Sequence, residues 1–273
     1  MTLDLGMDPN TEKYNSALYW LPRITDAGLP VPRTETIEID PDLVWLSLGA
    51  WEDDTGDKKE AIKSASAQHQ IILGAARRIG FPVFIRTDKG SAKHEGPESY
   101  RADTEEEVAR VVARTINHEM EHDLVGERFP AAILVREWLH LNSAFTAFGG
   151  TRIAREFRFF VEGERLWCSH FYWPEDAVRF EPADNPPEDW RERLDGLRKI
   201  ETLSDTHLPA WNAWNMALLA GRACPDHPKW SVDFAEDMNG KWWLIDMAIA
   251  ERSWHPKDCP NHEEIKTPRV GNF

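Results

Sequence analysis

The sequence predicts an α+β protein built on antiparallel sheets. Three observations lead there: apolar residues at helical spacing over residues 61–79, two pairs of strand-forming runs joined by short polar turns, and a length of 273 residues, enough for a lobed, enzyme-sized module. The paired runs are residues 155–161 with 165–172, turning near Glu162-Gly163-Glu164, and residues 231–235 with 242–247, turning at Asn239-Gly240. Asn-Gly between two such runs is the strongest short-range signal of a two-residue hairpin loop.

Each element follows from local chemistry. A short helical stretch surrounds residues 14–20. Pro30 and Pro32 then exclude a helix interior and feed an edge strand at residues 36–39. A polar segment at residues 52–60 precedes the helix of residues 61–79, which carries Ile62, Ala65, Ile72, Ala75, Ala76 and Ile79 and ends at Gly80 as a C-terminal cap. A strand at residues 82–86 passes into a polar Gly/Ser/Lys loop at 87–96. The helix at 104–117 starts with Thr104 and Glu107 at capping-box spacing. A strand at 132–137, a less regular stretch to Arg152, an acidic surface loop at 174–187 and helices at 189–203 and 209–223 complete the order.

Charge and composition narrow the function. Lys and Arg number 32 against 47 Asp and Glu, a net charge of -15 that repels a phosphate backbone or an anionic membrane, so neither nucleic acid nor membrane is the expected partner. No run of 18 apolar residues exists, and the start, Met1-Thr2-Leu3-Asp4-Leu5-Gly6, lacks a signal-peptide pattern, which predicts a cytoplasmic location. Cys168, Cys224 and Cys259 are too few for a disulfide framework and suit a reducing compartment. The 13 Trp residues are read as core packing.

Three constellations carry chemistry. With Asn239 and Gly240 as the loop, Met238 faces Lys241 and Asp233 falls directly opposite Asp246, so two carboxylates repel across the pair. That register assigns Val232, Phe234, Trp243, Ile245 and Met247 to one face and Asp233, Asp246, Ala235, Trp242 and Leu244 to the other. A divalent cation would offset the repulsion, as would a buried Arg. Arg86 ends its strand before a loop holding Lys89 and Lys93, an arrangement that grips polyphosphate, although the glycine spacing is not that of the G-x-x-x-x-G-K-[ST] loop. Alternation along residues 156–161 sends Glu156, Arg158 and Phe160 to one face, where Arg158 meets either a carboxylate or a phosphate.

Taken in order, Val83-Phe84-Ile85-Arg86 with Ser91-Ala92-Lys93, Val135-Arg136-Glu137-Trp138-Leu139, Glu156-Phe157-Arg158-Phe159-Phe160-Val161, and Asp233-Phe234 with Leu244-Ile245-Asp246 resemble the ATP-grasp superfamily. The likeness is to the branch holding a eukaryotic cell-division-cycle protein that assists initiation-factor assembly, and to bacterial and phage relatives. It covers residues 80–250. The resemblance implies two lobes with antiparallel sheets enclosing a nucleotide: an N-terminal α/β region at 1–79, a small lobe at 80–140 and a C-terminal lobe at 141–273. It implies that Arg86 and Lys93 bind ATP phosphates and that Glu137, Trp138 and Leu139 form the hinge reading the adenine edge. Arg158 would stabilise transferring charge, and Asp233 and Asp246 would ligate Mg²⁺. The implied activity is ADP-forming carboxylate–amine ligation through an acyl-phosphate, with a small-molecule, peptide or protein acceptor. The alternative is an ATP-binding assembly factor, and a third reading is a kinase-like phosphotransferase. Ala248 stands where the family often has Asn two residues after the last Asp, with Glu251 as a possible substitute ligand.

Cys224-Pro225-Asp226-His227 and Cys259-Pro260-Asn261-His262 are two C-P-x-H tetrapeptides that would supply four zinc ligands if they met, with His255 to spare.

Overall fold

A computed structural model describes residues 12–48, 56–121, 129–182, 184–199 and 208–267. The chain opens with α1 (Glu12–Asn15) and α2 (Ala17–Asp26), the latter capped by Ser16, whose hydroxyl accepts the Leu18 N–H. β1 (Thr34–Glu38) follows the two prolines, then α3 (Pro41–Ser47), which starts on a Pro whose fixed φ suits a first helical turn, and α4 (Gly56–Ile79). Next come β2 (Val83–Thr87), β3 (Arg101–Ala102), α5 (Glu105–Glu121) and β4 (Ala132–Glu137). β5 (Ser143–Ala147), β6 (Thr151–Ala154), β7 (Glu156–Glu162) and β8 (Arg165–Phe171) form consecutive hairpins. α6 (Trp190–Arg198), α7 (Leu208–Ala223), β9 (Lys229–Glu236), β10 (Trp242–Ile249) and α8 (His262–Lys266) close the order.

The strands make two four-stranded sheets, ordered β1-β4-β2-β3 and β10-β9-β7-β8, and a small β5-β6 hairpin. Every pairing between named strands is antiparallel, in agreement with the α+β expectation. On the first sheet, Val83, Ile85, Ile133 and Val135 pack against Ile72 and Ala76 of α4, Val111 and Ile116 of α5 and Leu43 and Val44 of α3. On the second, Phe157, Phe159, Val232 and Phe234 pack against Trp20 and Ile24 of α2 and Ala213 and Ala217 of α7. Residues 12–79 therefore serve both sheets. Among the described residues no helix is long and apolar enough to cross a membrane.

The carboxylate hairpin departs from its expected geometry at both ends. The turn spans Asp237 to Lys241, because the Asp237 carboxylate accepts the N–H groups of Asn239 at 2.8 Å and Lys241 at 3.0 Å and stabilises a wider loop than two residues. Gly240 takes φ 78° there, a conformation that glycine adopts without steric cost. The strands consequently leave the turn one residue out of the predicted register, with Trp242 opposite Glu236 and Leu244 opposite Phe234. A bulge at Ile245 absorbs the extra residue and restores Asp246 opposite Asp233. The predicted carboxylate pair is correct, but the faces assigned to residues 242–245 are inverted. Trp242 and Leu244 lie in the core with Phe234, while Ile245 faces the other side with Asp246.

Candidate functional site

A cleft lies between the sheets. Phe84 and Arg86 from β2, Arg136 from β4, and Ile245 and Asp246 from β10 face it. One wall is aromatic: Tyr100 lies 5.1 Å from Phe84 and stacks on Trp138 with 4° between ring planes. Glu137, Trp138 and Leu139 pass along the end of β4 into the same cleft. No backbone hydrogen bond from the Trp138 or Leu139 N–H occurs among the described residues, so this strip can read a planar polar edge.

The opposite end is basic, and each of its cations reaches across to the second sheet. Arg86 Nη1 lies 2.9 Å from Asp246 Oδ1, Lys93 Nζ lies 2.7 Å from Glu156 Oε2, and Arg136 Nη1 donates to the Ile245 carbonyl at 2.6 Å. The bulge at Ile245 is what turns that carbonyl and the Asp246 carboxylate toward the first sheet. Burial opposes the charge on Lys93, but Glu156 outweighs it and holds the ammonium above its usual range. Arg136 is different. Burial, with Arg86 beside it and only Asp246 opposing, pulls its guanidinium down to about 9. Its Nε and Nη2 are buried with no hydrogen-bond partner among the described residues. Arg136 is thus an undercompensated cation with two unpaired donors buried beside the cleft.

Arg158 and Asp233 lie one layer behind the cleft. They face each other across β7 and β9 and form a bidentate pair, Nε to Oδ1 at 2.8 Å and Nη2 to Oδ2 at 2.7 Å. Burial opposes the Arg158 charge, yet Asp233 keeps it above even the usual arginine range. Both Asp233 oxygens are thus engaged by protein, whereas the Asp246 side chain remains 35% exposed on the cleft. The structure gathers Arg86, Lys93, Glu137, Trp138, Leu139 and Asp246 into one cleft and sets Arg158 with Asp233 behind it. Glu251 lies outside the cleft, and burial raises its carboxyl. Arg136, Glu156, Tyr100 and Trp173 belong to the site without having been singled out from sequence. A lone Arg at the end of the apolar run of residues 132–135 was the available signal for Arg136.

His94 borders this end, edge-on to Trp173 with ring centroids 5.4 Å apart. Burial first, then the nearby Lys93, push its imidazole from 6.5 down to about 4. The unfolded chain therefore binds the extra proton between about pH 6.5 and pH 4, so stability is fully present above that window and falls as pH drops through it. His94→Gln should flatten this dependence between neutral pH and about pH 4, by an amount that solvent screening of this exposed residue keeps small. Urea denaturation of both proteins across that range measures the difference.

No protein-family model and no curated protein matches the chain. Among solved structures, C-terminally truncated Cdc123 from Schizosaccharomyces pombe aligns over 89% of this chain and 86% of its own, at 17% identity and a TM-score of 0.53. A second Cdc123 structure from that organism aligns over the same shares at 0.52. The fold is that of the ATP-grasp proteins. A carboxyaminoimidazole ribonucleotide synthase from Aspergillus clavatus, solved with ATP, aligns at 9% identity and a TM-score of 0.47, over 86% of this chain and 44% of its own. Asp246 leaves a carboxylate oxygen open to the cleft, whereas both Asp233 oxygens are held by Arg158.

Proposed function

We propose that the cleft binds ATP with Mg²⁺ and that the chain is an ADP-forming carboxylate–amine ligase. The observation that carries ATP binding is the concentration of Arg86, Lys93 and Arg136, the last with only Asp246 opposing its charge, at one end of an aromatic slot. Arg86, Lys93 and Arg136 would bind and orient the phosphates, and Asp246 would hold the metal, whose role is to neutralise charge between phosphate oxygens. In this chemistry an acceptor carboxylate attacks the terminal phosphorus with loss of ADP, and an amine then displaces phosphate from the acyl-phosphate. The ligation step is carried over from the superfamily resemblance, while the cation end and the metal carboxylate are supported by the cleft itself.

A second reading, an ATP-binding assembly factor, is favoured by two observations. Ala248 offers no metal-ligating atom, and Asp233 is fully occupied by Arg158. ADP and phosphate release by the purified chain, assayed with pools of amino acids, peptides and candidate proteins, separates the two. Acceptor-dependent ADP release is expected for the ligase. ATP binding without any acceptor-dependent turnover would replace it with the assembly factor, and a stable phosphorylated product would point to a kinase. Equal ATP binding by wild type and an Arg86→Ala, Arg136→Ala double variant would overturn the cleft assignment.

A further inference from the structure

The two C-P-x-H tetrapeptides do not meet as their sequences suggest. Cys224 is buried in the core, where its carbonyl accepts the Trp230 indole N–H at 2.9 Å, and His227 packs between Tyr14 and Trp230. A different set gathers on the outer face of the second sheet. Cys168 and His170, two residues apart on the edge strand β8, share one face with Phe160 of β7. After β10 the chain turns back over that face, where Phe160 packs on Ala250 and Ile265. This return delivers His255 and Cys259.

The ligand atoms of Cys168, His170, His255 and Cys259 all lie within 4.8 Å of one another. Cys168 Sγ is 3.2 Å from His255 Nε2, and the His170 and His255 rings meet edge to face with centroids 4.8 Å apart. From these positions we infer a structural zinc site with a Cys₂His₂ ligand set, formed by Cys168 and His170 of β8 and by His255 and Cys259 of the returning segment. Tetrahedral zinc with bonds of about 2.0–2.3 Å needs ligand atoms roughly 3.3–3.8 Å apart, within small side-chain adjustments of what is present.

The surroundings have the form that orients metal ligands. The Nδ1 of His255 contacts the Pro256 carbonyl at 3.0 Å, which fixes the proton there and leaves the Nε2 lone pair facing Cys168. The Nε2 of His170 is buried with no hydrogen-bond partner among the described residues, a cost that a metal bond would remove. Asn261 donates to the Trp167 carbonyl at 2.8 Å and pins the start of α8 beside Cys168. Binding releases one proton from each thiol and none from the neutral imidazoles, so the two thiolates balance the Zn²⁺ charge. With four protein ligands the position is closed, which makes the ion a staple joining the edge strand to the C-terminal segment. That segment contacts the Arg158–Asp233 pair behind the cleft, since the Trp254 carbonyl accepts from Arg158 Nη1 at 3.3 Å.

Elemental analysis of the full-length chain purified without chelators tests this, together with Co²⁺ titration of chelator-treated protein. About one zinc per chain is expected, with thiolate-to-Co²⁺ absorption bands and a melting temperature that falls on chelation and recovers with Zn²⁺. Cys168→Ser and Cys259→Ser should each reduce bound zinc at least about tenfold, while Cys224→Ala should keep it. Metal-free wild type that takes up no Co²⁺ would overturn the site, and so would undiminished zinc in the Cys168→Ser, Cys259→Ser double variant. A Cys168–Cys259 disulfide in reduced preparations would overturn it as well. These readouts use wild-type protein first, and none depends on ATP.

Discussion

Replacing Lys93 by Met is expected to destabilise the fold by about 3–5 kcal/mol, because it strands a buried carboxylate. The Glu156 side chain is only 4% exposed and Lys93 Nζ, 2.7 Å away, is its charge partner. The same ammonium lies 3.9 Å from the Tyr172 ring centroid and 5.2 Å from that of Trp173, so the cation is also enclosed by aromatic faces. The double variant Lys93→Met, Glu156→Gln removes both charges and should recover most of that loss. Nucleotide affinity should not recover with it. Loss of one charge-assisted contact to phosphate weakens ATP binding at least about tenfold, and the double variant still lacks the cation. Chemical denaturation and ATP titration of the three proteins separate the roles. Wild-type affinity in the folded double variant would confine Lys93 to a structural pair.

The origin of such cross-sheet pairs explains which parts of this protein can be read from its sequence. β2, β7, β8, β9 and β10 are legible because their apolar runs are bounded by turn residues, and Arg86 stands out as the one charge on its strand and Arg158 as a charge flanked by phenylalanines. The helix α3 is not legible, because Asp40-Pro41 follows a proline-rich extended run and its seven residues are too few to display a period. The β5-β6 hairpin is hidden by the Gly149-Gly150 pair and a weakly alternating flank. The bulge at Ile245 follows from how Asp237 captures two backbone N–H groups, a choice that local propensity at Asn239-Gly240 does not reveal. Partners such as Glu156 for Lys93 and the Ile245 carbonyl for Arg136 exist only once two sheets meet. The same holds for Cys168, His170, His255 and Cys259, where the repeated tetrapeptide drew attention to Cys224 and His227, and a strand pair plus a returning tail made the actual cluster.

Asp246→Asn should reduce Mg²⁺-dependent nucleotide turnover by about 10²–10³-fold, whereas Asp233→Asn should act chiefly on stability. The contrast rests on where each carboxylate is placed. Asp246 keeps 35% of its side chain exposed on the cleft and contacts the buried Arg86 from there, so neutralising it deprives the metal of a ligand and leaves Arg86 with a weaker, uncharged partner. Asp233 is 4% exposed and holds Arg158 through both oxygens, so its loss leaves a buried guanidinium half satisfied, at a cost of about 3–5 kcal/mol. If the protein binds ATP without turning it over, the same pair of variants is read by the Mg²⁺ dependence of ATP affinity. Asp246→Asn should abolish that dependence, and freeing Arg86 from its carboxylate should preserve or strengthen binding of metal-free ATP. Retained magnesium dependence in Asp246→Asn would remove the metal from β10 and leave the Asp246 carboxylate as a counter-charge for Arg86 alone.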